Sequence, residues 1–352
     1  MVANLSETFT ESLGASTQDC SGEKFSLGVL DLVPRLNGAS AEQALQQALL
    51  LAQHAEAWGY TRYWTSEHHD MPELASASPE VLLSHIGAKT DTILLGSGAV
   101  LLPHYSPLKV AESFRLLASL YPGRIELGLG RAPGGGPHAT MALSGNYLQH
   151  VSNLPAKLAS LTELLEDRFT YEDVPVTARP VPEIPLSLWM LGTNVKSAAY
   201  AAKFGMGYVF GQFMSDSDGT QAVRRYREEF VPSAGLKEPE VMVALSAMCA
   251  ETENDALRWS REIENRRQES REEHTNERDT NVGIVKDNPQ SISVHKEDNE
   301  MKRHVAGTPE QVWQYIRQAG QRLDTNRILV VTTGPDYERR LESYRLLKSR
   351  MS

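Results

Sequence analysis

Cysteine is scarce in this chain. Its 352 residues include two, Cys20 and Cys249, which form neither a disulfide framework nor a metal-type spacing. A reducing cytoplasm is the expected setting. Long apolar runs are also missing: hydrophobic residues make up 41% of the sequence, yet no uninterrupted stretch is long enough to cross a bilayer. No membrane contact is expected. The opening MVANLSETFTESLGASTQDCSGEK has neither a basic start nor an apolar core, so it does not read as a signal peptide. Residues 1–24 read instead as a flexible N-terminal extension. Positive charge is in deficit, with 35 Lys and Arg against 45 Asp and Glu and a formal net charge of -10. Such a surface repels nucleic acid and favours a small-molecule partner.

What is present is a repeated alternation of β-branched apolar runs and longer stretches of helical period, the pattern of βα units around a parallel sheet. FSLGVLDLVP precedes a helix over 40–59, with Ser40 placed to cap it and Gly59 to end it. TRYWTSEHH precedes SPEVLLSHIGAKT, TILLGSGAVLLP precedes SPLKVAESFRLLASLY, and RIELGLGRAP precedes a Gly-rich loop and a helix around 152–168. PLSLWMLG, GYVFGQF, VMVALSAMCAE and RILVVTTG begin four further units. Eight units without a change of composition predict a single α/β domain over 25–352. The expected fold is a (β/α)8 TIM barrel with its site at the C-terminal strand ends. A doubly wound open sheet is the alternative. Residues 251–304 interrupt the pattern with a charged, Asn-rich insertion after strand seven, read as a solvated excursion or as a lid.

Four stretches at strand ends carry chemistry. Glu67, His68 and His69 follow strand two, and adjacent residues of an extended strand face opposite ways, so one metal ion is not easily gripped by both imidazoles. No HExxH spacing occurs, and no metal is expected. Acid-base work, cofactor contact, or a buried imidazole bonded to backbone remain open for these histidines. In LLGSGAVLLP, Gly98 and Ala99 suit close approach of a flat ring, whereas Gly96 and Gly98 equally suit relief of crowding inside a barrel. GLGRAPGGG resembles a dinucleotide fingerprint, but Pro133 stands where the third glycine belongs. That leaves Arg131 as a cation suited to phosphate or to a surface ion pair. Gly192, Thr193, Asn194 and Ser197 open a helix, an arrangement for an anion or for ordinary N-capping. Tyr105, Phe210, Phe213 and Met214 are candidates for an apolar pocket or for simple packing.

In their order and spacing, WTSEHH, GSGAVLLPHYSPLKVAES, GRIELGLGRAPGG, LGTNVKSAAYAAKFG and VAGTPEQV resemble the bacterial luciferase-like flavin-dependent monooxygenases, a family of (β/α)8 barrels, from Phe25 to Arg350. The resemblance implies catalytic roles for His68 and Glu67, with His69 in the same region. It implies cofactor contacts from His69, Gly98, Ala99, Arg131, Gly192, Thr193, Asn194, Val195 and Ser197, with Gly98 and Ala99 joined by a cis peptide bond. Arg131 and the turn at Asn194, Val195 and Ser197 would hold the flavin phosphate. Gly130 stands where luciferase has a reactive cysteine, so the likeness is to non-luminescent members.

The resulting expectation is a two-component monooxygenase. Reduced FMN from a separate flavin reductase would react with O2 to a flavin hydroperoxide that oxidises a small organic substrate, in a homodimeric cytoplasmic enzyme. A deazaflavin-dependent hydride transferase, a flavin-binding protein without turnover and, least favoured, a metal-dependent barrel hydrolase are the other readings.

Overall fold

The computed structural model describes residues 25–279 and 303–350, with side chains described outside 267–279. The reading of 1–24 as an extension lies outside the described residues, as does the part of the lid reading that concerns 280–302. Eight strands run in chain order: β1 (Ser26–Asp31), β2 (Arg62–Thr65), β3 (Leu94–Ser97), β4 (Ile125–Gly130), β5 (Ser187–Gly192), β6 (Gly207–Gly211), β7 (Val241–Cys249) and β8 (Arg327–Val331). Each pairs in parallel with the next, and β8 returns to β1 through the register Ser26 to Arg327 and Val29 to Val330. That pairing closes the barrel and excludes the open sheet.

The strands bury both faces, as parallel strands between an interior and a helical ring must. β4 and β6 are buried at every position. The first helix, Ala41–Ala57, turns Ala44, Ala48, Leu51, Ala52 and Ala55 inward, a stripe at spacings of three and four. Its start is the expected one: Ser40 accepts from the Gln43 N–H while the Gln43 side chain accepts from the Ser40 N–H. Gly59 follows the helix end at φ +82°, where a β-carbon would be strained.

After β4 the chain differs from expectation. Two short helices, Pro137–Ser144 and Tyr147–Ser152, precede the longer helix Leu154–Leu165. Pro137 and Pro155 can each begin a helix but cannot continue one from the preceding residues. The insertion after β7 begins as a helix, Glu253–Asp279. Its far side includes a short strand, His304–Gly307, paired with the end of β7.

Inside the barrel is a second apolar cluster, in which Leu30, Trp64, Trp189, Met242 and Leu329 are wholly or almost wholly buried. Trp64 explains Gly96 of β3, where a β-carbon would lie 2.3 Å from its Nε1, whereas on Gly128 of β4 a β-carbon would lie 2.0 Å from the Ser97 carbonyl oxygen. Crowding within the barrel is therefore the reason for Gly96. Against this plug, Arg62 Nε and Trp64 Nε1 both donate to Glu126 Oε2, at 3.1 and 2.6 Å. Toward the other end, Leu32, Leu191 and Phe213 pack on the plug while remaining partly exposed. They floor the mouth at the C-terminal strand ends.

Candidate active site

Strand β2 stops at Thr65, so Glu67, His68 and His69 lie beyond the extended segment. The alternation used to separate the two imidazoles therefore does not apply, and three backbone bonds place them instead. Ser66 N–H donates to the Asp31 carbonyl, His68 N–H to that of Ser76, and His69 N–H to that of Gly134. Among the described residues no group of three or more His, Cys, Asp or Glu is placed to hold a metal ion.

Glu67 is the hub of the segment. Its carboxylate accepts from His69 Nε2 at 2.8 Å, from the Tyr105 hydroxyl at 2.7 Å and from the Leu101 N–H at 3.0 Å. Burial raises its pKa above the ordinary carboxylate value, although all three hydrogen bonds pull the other way. With its lone pairs directed at these donors, Glu67 orients its neighbours. Tyr105 thus has a polar duty in addition to the apolar one expected.

His68 is arranged differently. Its Nδ1 lies 3.0 Å from Ser66 Oγ, and among the described residues nothing hydrogen-bonds its Nε2. Burial lowers its pKa below 6.5; His69 pushes in the same direction and Glu73 opposes it. The result is a neutral imidazole with one nitrogen held and the other available, the state needed to give or take a proton near neutrality.

The Gly98–Ala99 peptide bond is cis. A β-carbon on Gly98 would lie 2.5 Å from Leu30 Cδ1 and 3.3 Å from Trp64 Cε3, so the missing side chain is required by the plug beneath. Ala99 itself is buried, and Leu101, two residues on, binds Glu67.

The anion-type elements of β4 and β5 meet at Tyr208. From β6, its hydroxyl lies 3.4 Å from the carbonyls of both Gly192 and Asn194. Its pKa is pushed up to about 12 by burial, offset in part by Ser197 and by the charge of Arg131. With Leu129 of β4 opposite Met190 of β5, Arg131 leaves its strand alongside Gly192 and so near the start of helix Val195–Lys203, and among the described residues no hydrogen bond engages its guanidinium. Asn194 is the N-cap: its Oδ1 accepts from Lys196 N–H and Ser197 N–H, while Ser197 Oγ donates to its carbonyl. A β-carbon on Gly192 would lie 1.9 Å from Ser197 Oγ, so glycine is what lets strand and helix approach. Thr193 lies between them, its Cγ2 facing Gly211.

Phe210 does not line a pocket. It is fully buried in the shell outside the barrel, against Gly219, because alternation along β6 turns it away from the interior that Val209 faces. Phe213 is part of the floor, and Met214 is exposed at the rim. Sequence reasoning missed His104, Tyr147 and Lys157. Lys157 Nζ donates to the carbonyls of Pro103 and Tyr105 at 2.6 and 2.9 Å, fixing the turn that presents His104 and Tyr105. No periodicity marks these residues, since their partners lie between 16 and 55 residues away.

With this geometry in view, residues 25–326 match the family model described as luciferase-like monooxygenase. The chain belongs to that family. It is an oxidoreductase of the monooxygenase type. It is 40% identical over 329 residues, 92% of this chain and 98% of the other, to the uncharacterized protein YwcH of Bacillus subtilis (strain 168). To the N-acetyl-S-alkylcysteine monooxygenase of the same organism it is 39% identical over 233 residues, 65% of this chain and 69% of that one. Among solved structures, apo-MsnO8 superposes with a TM-score of 0.80 at 32% identity, covering 92% of this chain and 98% of that one.

Proposed function

We propose that this luciferase-like monooxygenase takes reduced FMN from a separate flavin reductase and uses O2 to oxidise a small organic substrate. The observation that carries this reading is the convergence of Arg131 with the start of helix Val195–Lys203 around Tyr208, on the same rim that presents His68. The residues fit FMN: an unengaged guanidinium and a helix N-terminus suit a phosphate, and the partly exposed floor of Leu32, Leu191 and Phe213 suits a flat ring. When bound, reduced FMN supplies the electrons that activate O2.

The chain's own residues would then divide the work. Arg131, Gly192, Thr193, Asn194, Val195 and Ser197 bind and orient the phosphate end. Gly98 and Ala99 would flank the ring with no side chain larger than a methyl group, and the plug excludes water from below. His68 Nε2 holds or moves the proton that oxygen chemistry requires, while Glu67 orients His69. Pro133 removes the dinucleotide fingerprint, which is the reason for assigning reduction to a separate protein.

A titration of the anaerobic protein with reduced FMN and with a reduced deazaflavin, followed by oxygen-uptake measurements, tests the proposal. It predicts tighter binding of FMN and oxygen uptake tied to substrate. Preference for the deazaflavin without oxygen uptake would support the hydride-transfer alternative instead.

Two features of the working enzyme belong to the same proposal. A homodimer is supported by the exposed Val81, Leu116 and Leu120 on helices Pro79–Gly87 and Pro107–Leu120, and sedimentation of a monomer at micromolar concentration would contradict it. A cytoplasmic location fits Cys249, a buried free thiol whose pKa burial pushes up to about 12; recovery of the protein from a secreted fraction would contradict it.

A further inference from the structure

The segment that follows Arg131 is fastened to the barrel rim by a group of side chains to which the proposed chemistry gives no part. His104 Nε2 lies 2.9 Å from the Pro133 carbonyl, and His104 Nδ1 lies 2.9 Å from Ser144 Oγ. A carbonyl only accepts, so the neutral ring carries its proton on Nε2 and accepts the Ser144 hydroxyl proton at Nδ1. Burial lowers the pKa of His104, which favours that neutral form. Its ring stacks on Tyr147 at 5.2 Å and 26°, and the Tyr147 hydroxyl donates a short hydrogen bond to the carbonyl of Arg131 itself. On the other side, Gly134 and Gly135 leave no room for side chains against Leu101 and the His69 backbone. The main chain at Arg131 is therefore held between β4 and a stacked pair that reaches it from the turn after β3 and from a short helix.

We propose that His104 and Tyr147 are positioning residues for Arg131, setting its guanidinium where the phosphate of the flavin binds. The inference rests on the FMN reading above. A rigid anchor differs from a general structural role in one measurable respect. It contributes to binding only through the phosphate, because preorganising a cation strengthens its bond to an anion and does nothing for a ligand without one. Riboflavin carries the same ring without the phosphate.

The test is equilibrium binding of dithionite-reduced FMN and reduced riboflavin to the wild-type protein, Tyr147→Phe, His104→Phe, Arg131→Ala and the double variant Arg131→Ala/Tyr147→Phe, with thermal melting to confirm folding. Tyr147→Phe keeps the stacked ring and removes one hydroxyl. The loss of one hydrogen bond is expected to weaken FMN roughly fivefold and to leave riboflavin unchanged. His104→Phe should act in the same direction. In the Arg131→Ala background, Tyr147→Phe should have no further effect on the ratio, since two residues acting through one contact are not additive.

Wild-type discrimination that Arg131→Ala abolishes and Tyr147→Phe retains would overturn the positioning role alone. Equal weakening of both ligands by Tyr147→Phe would also overturn it, showing a merely structural contact. A wild-type protein that binds both ligands equally would remove the phosphate site, and the FMN reading and this inference would fall together.

Discussion

At the scale of single residues, the environment of His68 decides its charge. Burial places its pKa below 6.5, so the neutral form dominates at pH 7 and is lost as the pH falls through the lowered value. The same shift has a stability consequence. Below pH 6.5 the unfolded chain binds a proton that the folded chain does not, so this group's contribution to stability declines as the pH falls from 6.5 toward the folded value. Glu67 has the opposite sign. Its raised pKa means that its contribution is fully present below 4.5 and is lost as the pH rises through the folded value. Turnover should therefore fall on the acidic side of pH 6.5, and His68→Ala should both lower the rate, by about 10²–10⁴-fold for an acid-base group, and abolish that acidic limb. A pH-rate profile for the two proteins checks this, and an unchanged limb in His68→Ala would assign the titration to another group. The segment EHH was legible as a candidate site because it follows a strand in a barrel. Its internal division was not, because Tyr105 and Leu101, which commit Glu67 to orienting work, reach it across more than 30 residues.

At the scale of elements, the meeting of β5 with helix Val195–Lys203 depends on one missing side chain. Gly192→Ala would place a β-carbon 1.9 Å from Ser197 Oγ and 2.3 Å from Ser197 Cβ, and Ser197 is fully buried. The helix start must shift, at about 1–3 kcal/mol of stability, and FMN binding should weaken with it. Gly235→Ala, where a β-carbon meets nothing within 4 Å, is the control expected to change neither. Urea unfolding and FMN titration of both variants measure the two effects together; equal behaviour would mean that the close approach is not needed. The elements themselves were largely readable, because buried strands and amphipathic helices announce themselves by composition and period. The exceptions are informative. The excursion over 131–152 carries no such period: helix Tyr147–Ser152 has no buried residue, so nothing in the apolar pattern marks it. For Phe210 the sequence left pocket and packing open, because an apolar residue at a strand end reads the same whether it faces the mouth or the helical ring, and the structure gives packing.

At the scale of the whole molecule, barrel closure brings the first and last elements together, and a buried charge pair sits at the join. Arg340, from the C-terminal helix Tyr337–Ser349, donates to Asp31 at the end of β1, and Asp31 also accepts from the Tyr63 hydroxyl at 2.7 Å and the Val33 N–H at 2.6 Å. Both charged side chains are almost wholly excluded from solvent. Asp31→Ala would leave a buried guanidinium without its counter-charge, costing about 3–5 kcal/mol, whereas Arg225→Ala, which breaks an exposed pair with Glu229, should cost less than about 1 kcal/mol. Denaturant unfolding of the two variants gives the comparison, and a small loss for Asp31→Ala would show that closure does not depend on this pair. Closure also brings the strand-two acid and imidazoles, the strand-four arginine and the strand-five helix start onto one rim, and the proposed activity requires all of them together. Its most direct test is to mix the anaerobic protein with reduced FMN, admit O2, and follow reoxidation of the flavin. The account predicts that reduced FMN binds and is reoxidised with kinetics distinct from those of free FMN, and that His68→Ala moves those kinetics toward the free ones. Reoxidation identical to that of free FMN, or failure of reduced FMN to bind, would contradict it.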